Sequence, residues 1–320
     1  MDTQLLLSNL TNPTLLFFLL GIVAHLVRSD LEIPPTTIKF ISLYLLFAIG
    51  FKGGQELAHE HLNMQVTKEL IFGMAIASAI PFYAFFLLRG KLGVQNAGAV
   101  AAAYGSVSAV TFVAASSFLE AKGLPFSGHM VAIMALMESP AIIVGMVLLM
   151  RYDKEGTGRP SLGHMLKHSF TNASVLMLIG SLLIGLVADA KQAEGIKPFT
   201  TDIFKGFLAI FLLEMGMVTA SRFAAFRAYG GYVSAMALVL PLVNGSLVAW
   251  SSGSITTDPG DRFMFAVLAA SASYIAVPAA MRLAAPKADP GLYIPMALGV
   301  TFPFNITVGM PLYLGIIQAG

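Results

Sequence analysis

The stretch Ala103-Tyr104-Gly105-Ser106-Val107-Ser108-Ala109-Val110 has a counterpart 165 residues further on, Leu268-Ala269-Ala270-Ser271-Ala272-Ser273-Tyr274-Ile275. Each holds Ser-x-Ser among small residues, inside a long apolar run. Glycine is a poorer helix former than alanine by about 1 kcal/mol, and serine hydroxyls compete for the local backbone. Beyond the second stretch, Pro278 lacks the N–H that a continuous helix needs. The pattern predicts two broken helices, one in each half of the chain, whose unwound segments meet. Small residues also serve simply to let membrane helices pack closely. Their recurrence at matched places in both halves favours the break.

The composition sets the surroundings. The 320 residues are 57% hydrophobic and 11% charged, against about 25% charged in soluble domains. The apolar residues fall into blocks of about 20, the length of a membrane-spanning helix. No short alternating segments of the kind that build a membrane β-barrel occur. A net charge of +2, carried by the short loops, excludes an electrostatic nucleic-acid binder. The absence of cysteine excludes disulfides, thiolate nucleophiles and iron–sulfur ligation. The first apolar run has neither the basic start nor the cleavage site of a signal peptide, and is read as a retained span.

Ten spans are expected, at 13–27, 37–51, 69–88, 96–118, 128–150, 171–187, 203–221, 232–250, 263–283 and 293–317. The polar segment 151–168, with Gly156, Gly158 and Pro160, separates a first repeat (1–150) from a second (169–320). Matches run collinearly between the halves. Asn12-Pro13-Thr14 faces Asn172-Ala173-Ser174, and Leu45–Gly50 faces Phe211–Gly216. Pro81 faces Pro241, and Pro140 faces Pro303, all at offsets of 160 to 166. An odd number of spans per repeat inverts the second half, giving an all-α, 5+5 inverted-repeat membrane protein with spans 4 and 9 broken and crossing. Twelve of the 19 Lys and Arg flank the loops after odd spans, which include 151–168. By the positive-inside rule those loops are cytoplasmic and both termini extracytoplasmic.

Unwound segments expose N–H groups at the start of each following half-helix, carrying about half a positive charge. Two such ends suit a small anion, here Gly105, Ser106, Val107, Ser108, Ala109, Ser271, Ala272, Ser273 and Tyr274. Free carbonyls and hydroxyls suit Na⁺, with Ser108, Thr111, Glu138, Ser273 and Asn305 as candidates. Glu138, within span 5, must line the bundle interior, where it serves a cation, a proton or a broken backbone. Asn305 cannot titrate, but its carbonyl oxygen is a possible ligand. Glu214 and Lys52 are placed near an interface, and Arg282 is read as a cytoplasmic anchor. His25 is read as a hydrogen-bonded interior residue. The other histidines, including His59, His61 and His129, lie in or beside loops, and no transition-metal site or other cofactor is expected.

Phe51-Lys52-Gly53-Gly54, Gly105 to Thr111, Met137-Glu138-Ser139-Pro140-Ala141, Ser271-Ala272-Ser273-Tyr274 and the tail with Pro286, Asp289-Pro290, Tyr293 and Pro311-Leu312 resemble the sodium-dependent bicarbonate transporter family first known from cyanobacteria. The resemblance implies ten spans, Na⁺-coupled bicarbonate uptake and a homotrimer in a bacterial cytoplasmic membrane. By carry-over, Gly105, Val107, Ser108 and Thr111 belong to the first crossover, and Ser271, Ser273 and Pro278 to the second. Glu138 stands where the cyanobacterial proteins have Asp, Tyr274 where they carry an acidic residue, and Asn305 where they have a small apolar one. The 151–168 segment is shorter than their central one, so a PII-like regulator has less to hold.

The expected function is Na⁺-coupled transport of bicarbonate or a similar small monoanion across the bilayer. One rival is a proton-coupled or exchanging transporter with Glu138 as proton carrier. A remote one is an intramembrane serine hydrolase, which needs a base beside Ser106 or Ser108. The cysteine-free chain makes the topology directly measurable. A cysteine introduced at Gly158 is expected to react with a membrane-impermeant maleimide only after cells are permeabilised. Labelling of intact cells would reverse the orientation.

Overall fold

A computed structural model describes residues 13–58, 64–153, 173–226, 230–274, 277, 281 and 285–320. His59, His61, Pro278, Arg282 and most of 151–168 lie outside these residues. The described chain is helical, without strands. Six helices are long and apolar enough to cross a membrane, and shorter apolar helices accompany them.

The elements are α1 (Pro13–Leu26), α2 (Pro35–Ala58), α3 (Met64–Gly105), α4 (Ala109–Ala121), α5 (His129–Tyr152), α6 (Ala173–Val187), α7 (Ala190–Glu194), α8 (Phe204–Phe226), α9 (Gly230–Ser251), α10 (Pro259–Ala270) and α11 (Pro290–Ala319). Expected spans 3 and 4 meet at Gly93, where φ of 75° takes the backbone out of the helix. Only glycine adopts that angle at little cost. The second helix runs seven residues past its expected end, placing Lys52 inside it, exposed and 3.9 Å from Glu56. In α11, π-type turns span Met296–Thr301 and Asn305–Gly309. Pro295, Pro303 and Pro311 each remove a donor there, and a wider turn accommodates the gap.

Two helix pairs form a scaffold. The first helix packs on α8, and α2 packs on α6. Glycine permits both contacts. A Cβ on Gly21 would overlap the Leu213 carbonyl oxygen, and one on Gly216 the Phe18 carbonyl oxygen. Likewise a Cβ on Gly54 would meet the Leu182 carbonyl, and one on Gly185 the Phe51 carbonyl. Spans 1 and 7 thus pair as spans 6 and 2 do.

The other helices enclose the two broken ones. Residues 97–105, the arm of α3 that leads to the first break, are buried throughout, as are 263–270 in α10. Small side chains make that enclosure possible, with Gly98 against Leu149 and Gly145 against Ala102. Prolines free carbonyls that neighbours then use. Pro241 cannot bond to Ala237, whose carbonyl instead accepts the Thr301 hydroxyl at 2.8 Å.

Overpacking a tight contact costs about 1–3 kcal/mol. Gly54→Ala and Gly185→Ala are each expected to lower the thermal unfolding midpoint of the detergent-solubilised protein. Gly206→Ala, at a helical position with no neighbour within 4 Å, is expected to leave it unchanged or raise it. Equal behaviour of the three would refute the scaffold contacts.

Candidate functional site

Both expected breaks occur. The third helix ends at Gly105, residues 106–108 leave the helix, and α4 begins at Ala109. Ser108 is extended, with φ −104° and ψ 110°, and its Oγ accepts the Thr111 N–H at 3.2 Å as a helix N-cap. The tenth helix stops at Ala270, and 271–274 are non-helical, with Ser271 at φ −79° and ψ 166°. Ser273 Oγ accepts the Val277 N–H at 3.4 Å. The two serines thus play the same role, each capping the segment that follows its break.

The breaks are tied to each other. Ser108 N–H donates to Ser271 Oγ at 3.0 Å, and Ser273 N–H donates to the Ala103 carbonyl at 2.8 Å. The Ser271 hydroxyl in turn donates to the Leu268 carbonyl at 2.8 Å. Asn305 reaches in from α11, donating its amide to the Ala270 carbonyl at 2.8 Å and accepting the Tyr313 hydroxyl at 3.2 Å. Gly105 lies where a Cβ would overlap the Pro81 ring. It lets the arm of α3 before the break press against the arm before Gly93.

A cavity opens between this crossing and the scaffold. Val107, Ser108, Ala109, Val110, Ser273, Tyr274 and Glu138 line it from the crossing side, and Ser42, Leu45, Leu46 and Leu178 from α2 and α6. The space open to the centre of a water-sized body is about 40 Å³. Roughly 10–15 Å³ on that measure holds one water, so the cavity has room for a few water-sized bodies. The N–H groups of Ala109 and Val110 open α4 and have no partner within it. Since Ser108 and Ser273 act as acceptors in their caps, their own O–H groups remain able to donate into the cavity. The Tyr274 hydroxyl lies beside Ser108, and Ser106 Oγ makes no hydrogen bond. Leaving a buried polar group unpaired costs about 1–3 kcal/mol.

The sequence candidates thus separate. Val107, Ser108, Ala109, Ser273, Tyr274 and Glu138 share the cavity. Gly105, Ser106, Ser271, Ala272, Thr111 and Asn305 are not among its lining residues, and all six are buried. Asn305 is engaged with the free end of α10 and with Tyr313. The scaffold residues Ser42 and Leu178 carried no sequence signal, because only the tertiary fold brings them to the crossing.

One histidine differs from expectation. His25 is exposed at the end of α1, where it lines a separate cleft with Glu32 and Glu214. The reason is that α1 stops one residue later, which leaves His25 in its last turn. His129 is buried against Glu69 and Asp261. Neither lines the cavity at the crossing.

No curated protein matches the chain. A sequence profile described as the Na⁺-dependent bicarbonate transporter superfamily matches residues 13–318. The chain belongs to that superfamily and is a multi-pass membrane transporter.

Proposed function

We propose that the protein couples Na⁺ entry to uptake of bicarbonate or a similar small monoanion. The observation that carries this reading is one cavity lined by the start of α4, by the hydroxyls of Ser108, Ser273 and Tyr274 and by the carboxylate of Glu138. Among the described residues Glu138 makes no ion pair, and it stands half-buried at the wall of the cavity. A charge at such depth needs a counter-ion. Na⁺ beside Glu138 supplies one, and its charge, added to that of the α4 N-terminus, draws in the anion. Occupancy of each ion then raises affinity for the other, which is coupling in the thermodynamic sense. Thr111, Ser108 and Ser273 complete the proposed Na⁺ environment, with Asn305 holding the broken backbone in place.

The loaded crossing, enclosed by α3, α5, α9, α10 and α11, then rocks against the scaffold of α1, α2, α6 and α8, since the cavity lies on the boundary between them. Ten spans in a 5+5 inverted repeat fit the exchanged pairing of spans 1 with 7 and 2 with 6. A bacterial cytoplasmic membrane, extracytoplasmic termini and a homotrimer complete the proposal, and a PII-like regulator would have to dock on the short 151–168 segment. Proton coupling through Glu138 is the second reading, since a proton also neutralises an isolated carboxylate.

Labelled-bicarbonate uptake into proteoliposomes separates the two readings. Uptake is expected to follow an imposed Na⁺ gradient. Uptake driven by a pH gradient in the absence of Na⁺ would establish the proton reading. Glu138→Gln keeps the shape and removes the charge, and is expected to weaken Na⁺ dependence while the protein still purifies as a folded species. Unaltered Na⁺ affinity would make Glu138 structural.

A neutral hydrogen bond contributes about 0.5–1.5 kcal/mol net. Ser108→Ala and Ser273→Ala are accordingly expected to weaken apparent anion affinity about tenfold or less, or ~1.4 kcal/mol. Val107→Pro and Ala272→Pro, which redirect the chain at the breaks, are expected to do more damage. Proline variants with normal uptake would show that the anion binds elsewhere.

A further inference from the structure

Away from the cavity, the starts of three helices converge on a buried cluster. Glu69 lies near the start of α3, His129 opens α5, and Asp261 lies in the first turn of α10. Their residues are 1%, 5% and 2% exposed. One ligand atom from each lies within 4.8 Å of the others. His129 Nε2 contacts Glu69 Oε2 directly.

The two carboxylates are aimed from behind. Asp261 accepts the Ser127 N–H on Oδ1 and the Ser127 hydroxyl on Oδ2, both at 2.7 Å. Glu69 accepts the Gln65 amide on Oε1 at 2.6 Å. A carboxylate offers about four lone-pair sites, so these bonds orient the groups without exhausting them. Metal ligands are held by outer hydrogen bonds in the same way.

Charge points to a cation. His129 is the titratable neighbour of Glu69, while Asp258 and His129 are those of Asp261. Among the described residues no lysine or arginine acts on either carboxylate. Two buried carboxylates facing one imidazole are over-charged for an interior site. A divalent cation on a neutral imidazole and two carboxylates makes the set neutral. One nitrogen and two carboxylate oxygens match zinc and its first-row neighbours.

We infer that Glu69, His129 and Asp261 form a binding site for a divalent cation of the zinc type. The ion takes the imidazole nitrogen and one oxygen from each carboxylate, with water in the remaining position. It clips together the starts of α3, α5 and α10. The site shares no residue with the cavity at the crossing. It also departs from the sequence expectation of no transition-metal site, because 60 and 132 residues separate its ligands along the chain.

The test is Zn²⁺ binding by the purified full-length protein. After stripping with chelator and dialysis against micromolar Zn²⁺, elemental analysis is expected to find about one Zn²⁺ per chain, with a raised unfolding midpoint. Glu69→Gln and His129→Gln are each expected to weaken binding at least about tenfold and to abolish the thermal shift, while Gly206→Ala leaves both unaltered. Asp261→Asn serves as the alternative variant if either fails to elute as a folded protein. X-ray absorption of the zinc-loaded wild type is expected to show one nitrogen ligand with oxygen neighbours. A wild type that retains no Zn²⁺, an absorption spectrum without the imidazole, or variants with wild-type affinity would overturn the site and leave a hydrogen-bonded His–Glu–Asp bridge.

Discussion

A broken helix in an apolar interior has to find new partners for every backbone group it releases. Water is not available there to accept the debt, and an unsatisfied peptide group costs several kcal/mol in such surroundings. Here the two breaks largely solve the problem for each other. Ser271 Oγ takes the N–H of Ser108, the Ala103 carbonyl takes the N–H of Ser273, and Asn305 takes the Ala270 carbonyl. Neither break is self-sufficient, so the crossing forms as a unit or not at all. The fully buried arms at 97–105 and 263–270 follow from this. Both chains must be brought to one point, and only small side chains let them approach closely enough.

What the crossing leaves unsatisfied is as informative as what it pairs. The first N–H groups of α4 have no partner within that helix, and Glu138 makes no ion pair among the described residues. The proposed anion and cation would answer both. The scaffold supplies the far wall of the cavity through Ser42, Leu45, Leu46 and Leu178. Its helices are locked pairwise by backbone-to-backbone approach at Gly21, Gly54, Gly185 and Gly216, so in the proposed cycle it is the firm surface against which the crossing bundle moves.

The breaks were legible in the sequence because their cause is local. Ser-x-Ser with glycine or proline nearby disfavours helix whatever surrounds it, and its duplication made the signal specific. Glu138 was legible for the same kind of reason, since a carboxylate in an apolar run demands an explanation. The role of Asn305 was not, because its partner Ala270 is 35 residues away and becomes needy only once α10 has ended. The turn at Gly93 was hidden by the strong helical character of both arms around it. The π-type turns of α11 lay behind prolines, which announce a disturbance but not its form. The cluster of Glu69, His129 and Asp261 left no trace in spacing, since three separate helix starts create it. His25 was misjudged because helix ends are the least certain feature of a sequence reading.

The charge of the proposed substrate is read largely by main-chain donors, those at the start of α4. Peptide groups are not encoded by any one codon. Substitution can reshape the walls of the cavity, at Val113, Met134 or Tyr274, without erasing the positive field that its floor provides. Relatives built on this crossing would therefore drift readily among anions of different shape, while a reversal of charge preference would require rebuilding the backbone itself.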